Sequence, residues 1–296
     1  MAKSENKTFR VKTDGFFGEL FLPDEDKYPG KALICFSGSD GGIELTKMLA
    51  QLFQTNGLTV LALAYVMEEG LPTEFTSIPI DFLESAAKRL HEIGYNKVGL
   101  WGISKGSELA LTAGSLLPEI INAVIAVAPM NTVCQGFDKE KGVTFLPKSS
   151  WSFHGKDLPY TPFLTQKFPL GHVLLKSLQM RELSMYDLYE PLVLHPNPDA
   201  VIHVENTTGP ILLISSKADT MWPSDLAAKQ IMNRLKEQNF TYQYRHLSYN
   251  YGSHLFVPME LRSTKFFKSE RGKNKENGRK ARIDSLTKTL EFISEW

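Results

Sequence analysis

The stretch Gly102-Ile103-Ser104-Lys105-Gly106 sets one small hydroxyl between two glycines. Serine attacks a carbonyl only when a base removes its proton. A Gly-x-Ser-x-Gly turn serves that chemistry in three ways. Its glycines let a strand and a helix meet without a Cβ clash. The turn pushes the serine oxygen out at the carboxyl end of the strand. It also aims the next residue's N–H at the same spot from a helix start, where partial positive charge collects. Here that N–H belongs to Lys105. The plain alternative is a tight structural turn. The flanks favour chemistry, because "KVGLWG" before the turn reads as a strand and "SKGSELALTAGSLL" after it reads as a helix.

A serine on such an elbow is followed along the chain first by an acid and then by a histidine. Asp219, in "ILLISSKADTMWP", ends a later strand and is the expected acid. Asp225 competes with it, but falls in the first turn of the next helix, where acids commonly complement the dipole. Of seven histidines, only His246 and His254 follow the acid. His246 lies inside the strand-like "YQYRHLSY", where an edge or half-buried position explains it. His254 sits in "YNYGSHLFVP", a glycine-bearing loop after that strand, where a base would hang to reach both partners. In this scheme His254 takes the serine proton and returns it to the leaving group, while Asp219 holds the ring tautomer. A second oxyanion donor is expected from "FSGSDGGIE", through the backbone N–H of Ser39 or Asp40. The competing phosphate reading lacks the Gly-Lys-Ser/Thr ending of a P-loop and the spacing of a dinucleotide site. No His/Cys cluster has metal-ligand spacing, so no metal is expected, and this chemistry needs no cofactor.

The elements that must hold these residues are legible as alternation. "KALICF", "LTVLALAY", "KVGLWG", "NAVIAVAP" and "GPILLISS" are apolar on both faces, as buried parallel strands are. Between them, "GGIELTKMLAQLFQTNG", "PIDFLESAAKRLHEIG" and the segment after Ser104 carry helical spacing. After the acid, "DLAAKQIMNRLKEQN" reads as a helix with Ser224 as its N-cap, "TYQYRHLSY" as a strand and "RIDSLTKTLEFISEW" as a closing amphipathic helix. This predicts an α/β fold, with a mostly parallel sheet and helices on both faces. A single domain over 1–296 is expected. Its parts are an N-terminal hairpin within 1–30 that turns at Asp14-Gly15, a cap or lid insertion over 131–208, and a basic loop over 263–282. Ser263 to Arg282 holds eight Lys or Arg against two Glu. That reads either as a solvated loop or as a patch for substrate phosphates, with Lys265, Lys268 and Arg271 as candidates.

Composition narrows the class. The formal net charge of zero gives no global field for nucleic acid. The opening "MAKSENKTFRVKTDG" has no apolar core, so no signal peptide is expected there. No apolar run approaches the roughly 20 residues of a membrane span. The two cysteines sit in unlike contexts and predict no disulfide framework, which fits a cytoplasmic chain.

With these motifs in order, the chain resembles the C-terminal catalytic domain of the acyl-CoA thioesterase / bile acid-CoA:amino acid N-acyltransferase group. That group lies within the α/β-hydrolase superfamily and is dienelactone-hydrolase-like. The resemblance rests on "SGSDGGIE", "GLTVLALAYVMEEGLPTEF", "VGLWGISKGSELAL", "KADTMWPS" and "GSHLFVP", and runs from about Lys31 to Trp296. It implies Ser104 as nucleophile, Asp219 as acid and His254 as base, acting on an acyl thioester through an acyl-enzyme. Some members of the group carry cysteine at the nucleophile and transfer the acyl group to an amino acid, so serine here implies water as acceptor. Thirty residues precede Lys31, room for a hairpin where animal members carry a β-sandwich. The alternatives kept open are a carboxylesterase, a dienelactone-type hydrolase or peptidase, an N-acyltransferase, and a non-catalytic binding module on the same fold.

Overall fold

The chain enters through β1 (Lys7–Phe9) and β2 (Phe17–Phe21), an antiparallel pair, and β2 then lies antiparallel to β4 (Thr59–Ala64). Beyond it the sheet is parallel throughout. β3 (Lys31–Phe36), β5 (Lys97–Ile103), β6 (Ala123–Val127), β7 (Ile211–Ser216) and β8 (Tyr244–Tyr249) complete eight strands in the order β1-β2-β4-β3-β5-β6-β7-β8. The computed structural model describes residues 7–40, 42–140, 143–259, 261 and 265–296.

The period-2 geometry of the strands splits their apolar residues between two cores. Ile34, Leu100, Ala126 and Leu213 face one side, under α2 (Asp81–Glu92), α3 (Lys105–Leu116) and α6 (Ser224–Glu237). Leu33, Trp101, Ile125 and Leu212 face the other, under α1 (Glu44–Thr55) and α7 (Lys275–Glu295). Strands buried on both faces need apolar side chains at every position, which is why those five runs show no polar alternation. The chain runs outward from β3 to β4 and returns to lay β5 on β3's other side. At this reversal the loop after β3 lies against the end of β5 at the carboxyl rim, with Gly38 beside Ser104.

Residues 131–208 are built differently. Gln135–Asp138 pairs with Thr144–Ser149, and Trp151–Phe153 pairs with both Lys156–Asp157 and Ile78–Pro79. α4 (Leu170–Met180) and α5 (Tyr186–Leu194) follow. Trp151 is fully buried, and Phe137 stacks on Phe75 with ring centroids 4.7 Å apart, so the segment is packed onto the body.

Three expectations need correction. The antiparallel pair near the start is present, but its connection is a helical turn, Val11–Asp14, closed by left-handed Gly15 at φ 78°, rather than an Asp-Gly hairpin turn. Ser224 is not the cap of α6, since Pro223 holds that position and the Ser224 hydroxyl is taken by Asp219. The expected basic loop is in large part helix, because α7 begins at Lys275. Its first turns carry no apolar period to be read. Glu276 pairs with Arg279 and Lys280 instead, and Arg282 reaches back to buried Glu270. Residues 1–6 of the hairpin segment, Gly41 of the glycine-rich loop, 141–142 of the insertion, and Ser263 and Thr264 of the basic stretch lie outside the described residues.

The tightest packing is at the elbow. A Cβ on Gly102 would overlap the Gly106 carbonyl, and one on Gly106 would overlap the Ser37 carbonyl. Backbone does not yield as a flexible side chain does. Gly106→Ala is therefore expected to lower stability by at least about 2 kcal/mol, read from the urea midpoint.

Candidate active site

Ser104 joins β5 to α3 with φ 58° and ψ −126°, a conformation that costs an L-residue roughly 1–3 kcal/mol. Its N–H donates to the Val127 carbonyl on the neighbouring strand at 3.0 Å, which holds the strained residue in place. The side chain points over the rim. Ser104 Oγ lies 2.7 Å from His254 Nε2, and His254 Nδ1 lies 2.9 Å from Asp219 Oδ2. The hydroxyl donates to Nε2 when the ring carries its proton on Nδ1, whose N–H donates in a hydrogen bond to the carboxylate. Three side chains far apart in sequence thus form one line of proton donors and acceptors.

Each member is fixed by neighbours. Asp219 Oδ1 accepts from the N–H groups of Met221 at 2.9 Å and Trp222 at 3.3 Å, and Oδ2 accepts from Ser224 Oγ at 2.6 Å. These donors fix the orientation of the buried carboxylate. The Trp222 ring meets the His254 ring edge-on, with centroids 4.9 Å apart, and Trp222 Nε1 donates to the Ala128 carbonyl at 3.0 Å. The histidine loop is held from beneath. Gly252 takes φ 102°, and its carbonyl accepts from Ser216 Oγ at 2.9 Å and from Ser269 Oγ at 2.7 Å. The Ser253 N–H donates to Glu270 Oε1 at 3.1 Å, and Glu270 is in turn paired with buried Arg282.

The glycine-rich loop approaches Ser104 at Gly38. A Cβ there would lie 2.9 Å from Ser104 Cβ and 3.2 Å from its Oγ. Tyr65 Oη donates to the Gly38 carbonyl at 2.6 Å. In a trans peptide the following N–H points the opposite way, so the Ser39 N–H is turned away from Tyr65. The Asp40 carboxylate accepts from Ser37 Oγ at 3.1 Å, and burial raises its pKa. The loop that carries both expected donors, Ser39 and Asp40, thus follows directly on the glycine that meets Ser104. Lys105 opens α3, so its N–H has no carbonyl one turn back to bond.

Several supporting residues escaped sequence reading. The Lys105 side chain is buried and turned inward, with Nζ 2.9 and 2.8 Å from the two oxygens of Glu108, which is fully buried. Glu108 Oε1 also accepts from Trp151 Nε1 at 2.7 Å and from the Cys134 N–H at 3.0 Å, tying the insertion to the elbow helix. Lys139, from the insertion, donates to the Ser39 carbonyl and lies over the Phe75 ring. The only advance signal was the i, i+3 spacing of Lys105 and Glu108. Lys139, Trp151 and Glu270 carry none.

The competitors Asp225 and His246 satisfy one another through Ser215, which donates to Asp225 Oδ1 at 3.0 Å and lies 2.7 Å from His246 Nε2. Lys265, Lys268 and Arg271 are exposed on the segment that supports the histidine loop. The Lys268 N–H donates to Glu182 at 2.9 Å, and the Arg271 guanidinium donates to the Arg181 carbonyl. Cys35 and Cys134 are buried free thiols, and burial raises both their pKa values. Among the described residues, Asp81, Glu84 and His154 gather three possible ligand atoms within 4.8 Å, but Asp81 is bonded to His154 and Glu84 to Lys88. No helix among them is long and apolar enough to cross a membrane.

Residues 78–292 match the family described as BAAT / Acyl-CoA thioester hydrolase C terminal. The chain belongs to this family. Mouse acyl-coenzyme A thioesterase 6 is 27% identical over 223 residues, covering 73% of this chain and 46% of the relative. Mouse acyl-coenzyme A amino acid N-acyltransferase 2 is 29% identical over 247 residues, covering 81% and 52%. The chain thus spans about half the length of the curated relatives it matches. Among solved structures, an alpha/beta hydrolase from a deep-sea metagenome library superposes with TM-score 0.56 at 14% identity, covering 99% of this chain and 98% of its own. The alpha/beta hydrolase GrgF from Penicillium superposes with TM-score 0.53 at 16% identity, covering 98% of each chain. The fold is that of the α/β hydrolases, as the family implies.

Two stability outcomes follow from the buried polar groups. Lys105→Met strands a buried carboxylate and is expected to cost about 3–5 kcal/mol by urea unfolding. Adding Glu108→Gln should recover much of that, because a glutamine oxygen still accepts from Trp151 and Cys134. Burial lowers the pKa of His246, against the opposing pull of Asp225. The unfolded chain therefore binds the extra proton more readily, and stability is lost as pH falls below about 6.5. His246→Gln should flatten that decline in the thermal midpoint.

Proposed function

We propose that the protein is a serine hydrolase that cleaves an acyl thioester of the acyl-CoA class through an acyl-enzyme on Ser104. The observation that carries this reading is the continuous Ser104–His254–Asp219 line, with contacts of 2.7 and 2.9 Å, in a chain of the acyl-CoA thioester hydrolase family. Ser104 Oγ attacks the thioester carbonyl carbon while His254 Nε2 takes the hydroxyl proton. Asp219 keeps the proton on Nδ1 and stabilises the imidazolium. The oxyanion is received by the N–H groups of Lys105 and of Ser39 or Asp40, and loss of one such donor typically costs roughly 100- to 1,000-fold in turnover. Collapse breaks the carbon–sulfur bond, and the thiol leaves with the proton from His254. Water then attacks the acyl-enzyme, giving its proton to His254. The second collapse frees the carboxylic acid and restores Ser104.

A second reading draws on the N-acyltransferase relative, in which the same acyl-enzyme would be intercepted by an amine instead of water. Release of thiol without release of free acid, in the presence of an amino acid, would favour it. For the primary reading, a panel of acyl-CoA esters should release free thiol, and Ser104→Ala should lower kcat by at least about 1,000-fold. A fluorophosphonate probe should add its mass to the peptide carrying Ser104. Turnover of p-nitrophenyl esters with none of acyl-CoA would turn the assignment to a carboxylesterase. An unlabelled Ser104 would turn it to a binding module.

A further inference from the structure

α4 presents an apolar face that the body of the protein does not cover. At 100° per residue, Leu170, Leu174, Leu178 and Leu175 fall within an arc of about 140°. All four are more than half exposed, and Leu178 is 75% exposed. The opposite arc attaches the helix to the protein. Val173 is buried there, and Lys176 pairs with Asp187 at 2.9 Å. The apolar surface continues past the helix end, where the Leu183 N–H donates to the carbonyl of Phe266, a ring 62% exposed.

The unmatched charges around this face are cationic: Asp187 is paired with Lys176 and His172, and Glu182 is turned inward against Lys268. α4 contains no Asp or Glu. Arg181 follows it directly, and Arg271 is drawn alongside by its bond to the Arg181 carbonyl. Lys265 and Lys273 are exposed on the same neighbouring segment. A large leucine face with a cationic rim matches a surface that is apolar beneath and anionic above. A second copy of this chain fits less well, because a two-fold contact through this face would bring the rim cations of one copy against those of the other.

We infer that the leucine face of α4, with its rim of Arg181, Arg271, Lys265 and Lys273, docks onto an anionic phospholipid surface. The helix lies flat at the interface, with the leucines at the acyl boundary and the cations at the headgroup phosphates. The phosphate-binding role that the sequence suggested for Lys265 and Arg271 is thereby assigned to lipid headgroups rather than to coenzyme A. The docking does not depend on the reaction proposed above. It does lie beside that site, because the N–H groups of Met185 and Tyr186, just beyond the leucine face, both donate to the Thr220 carbonyl next to Asp219.

Flotation with phosphatidylcholine vesicles, with and without phosphatidylserine, tests the inference without reference to turnover. The protein should float with the anionic vesicles, much less with the neutral ones, and progressively less as salt is raised. The double variant Leu174→Ser, Leu178→Ser should weaken binding at least about tenfold at a near-native thermal midpoint. Arg181→Gln and Arg271→Gln should each weaken it about fivefold. Free coenzyme A, at matched ionic strength, should leave flotation unchanged. Failure to float with anionic vesicles would overturn the inference, as would equal flotation of the leucine variant or displacement by coenzyme A. A dimer in sedimentation velocity that the same leucine substitutions disperse, with no vesicle binding, would assign the face to a second copy.

Discussion

Everything near the rim depends on how closely three pieces of backbone meet around Ser104. The end of β5, the first turn of α3 and the loop after β3 approach until only glycine fits at 38, 102 and 106. That proximity drives Ser104 into its positive φ, lifts its hydroxyl over the sheet, and brings the glycine-rich loop against the same oxygen. The strain at one residue is small beside the apolar surface buried on both faces of the sheet, so the sheet imposes the conformation. The strain serves a purpose: a relaxed serine would lie along the strand or the helix, out of reach of His254.

The loops that complete the line are held by buried polar groups rather than by regular structure. Glu270 and Arg282 brace the histidine loop, and Lys105 and Glu108 brace the insertion through Trp151 and the Cys134 N–H. Apolar side chains of similar volume could stabilise such places equally well, but they would not select one loop position. A carboxylate that must satisfy several donors at once does select one, because a shifted loop leaves a buried charge unpaired. At a site whose working distances are 2.7 and 2.9 Å, this directional hold matters more than its net contribution to stability.

The basic stretch and the insertion form one surface. Glu270 and Ser269 face inward to the histidine loop, while Lys268 and Arg271 face the turn that follows α4. A segment that braces the candidate base therefore also rims the exposed leucines of α4. A change at either place has a physical route to the other through a few hydrogen bonds.

The sequence by itself determined the parallel strands, their alternation with helices, the elbow, and the order of Ser104, Asp219 and His254. These are local matters: period-2 and period-3.6 burial, glycine spacing, and a chain order imposed by the direction of the strands. Only the tertiary structure decided how closely the three side chains meet, at 2.7 and 2.9 Å. It also decided that the basic stretch becomes helix from Lys275, that Ser224 serves Asp219 instead of capping its own helix, and that Lys105 turns inward to Glu108. Each of these depends on how the closed chain packs around the residue, which chooses among partners that local propensity leaves equivalent. The partners of Glu270 and Lys139 were illegible for the same reason, since a charged residue in an irregular segment carries no period and its role exists only once the chain has closed around it.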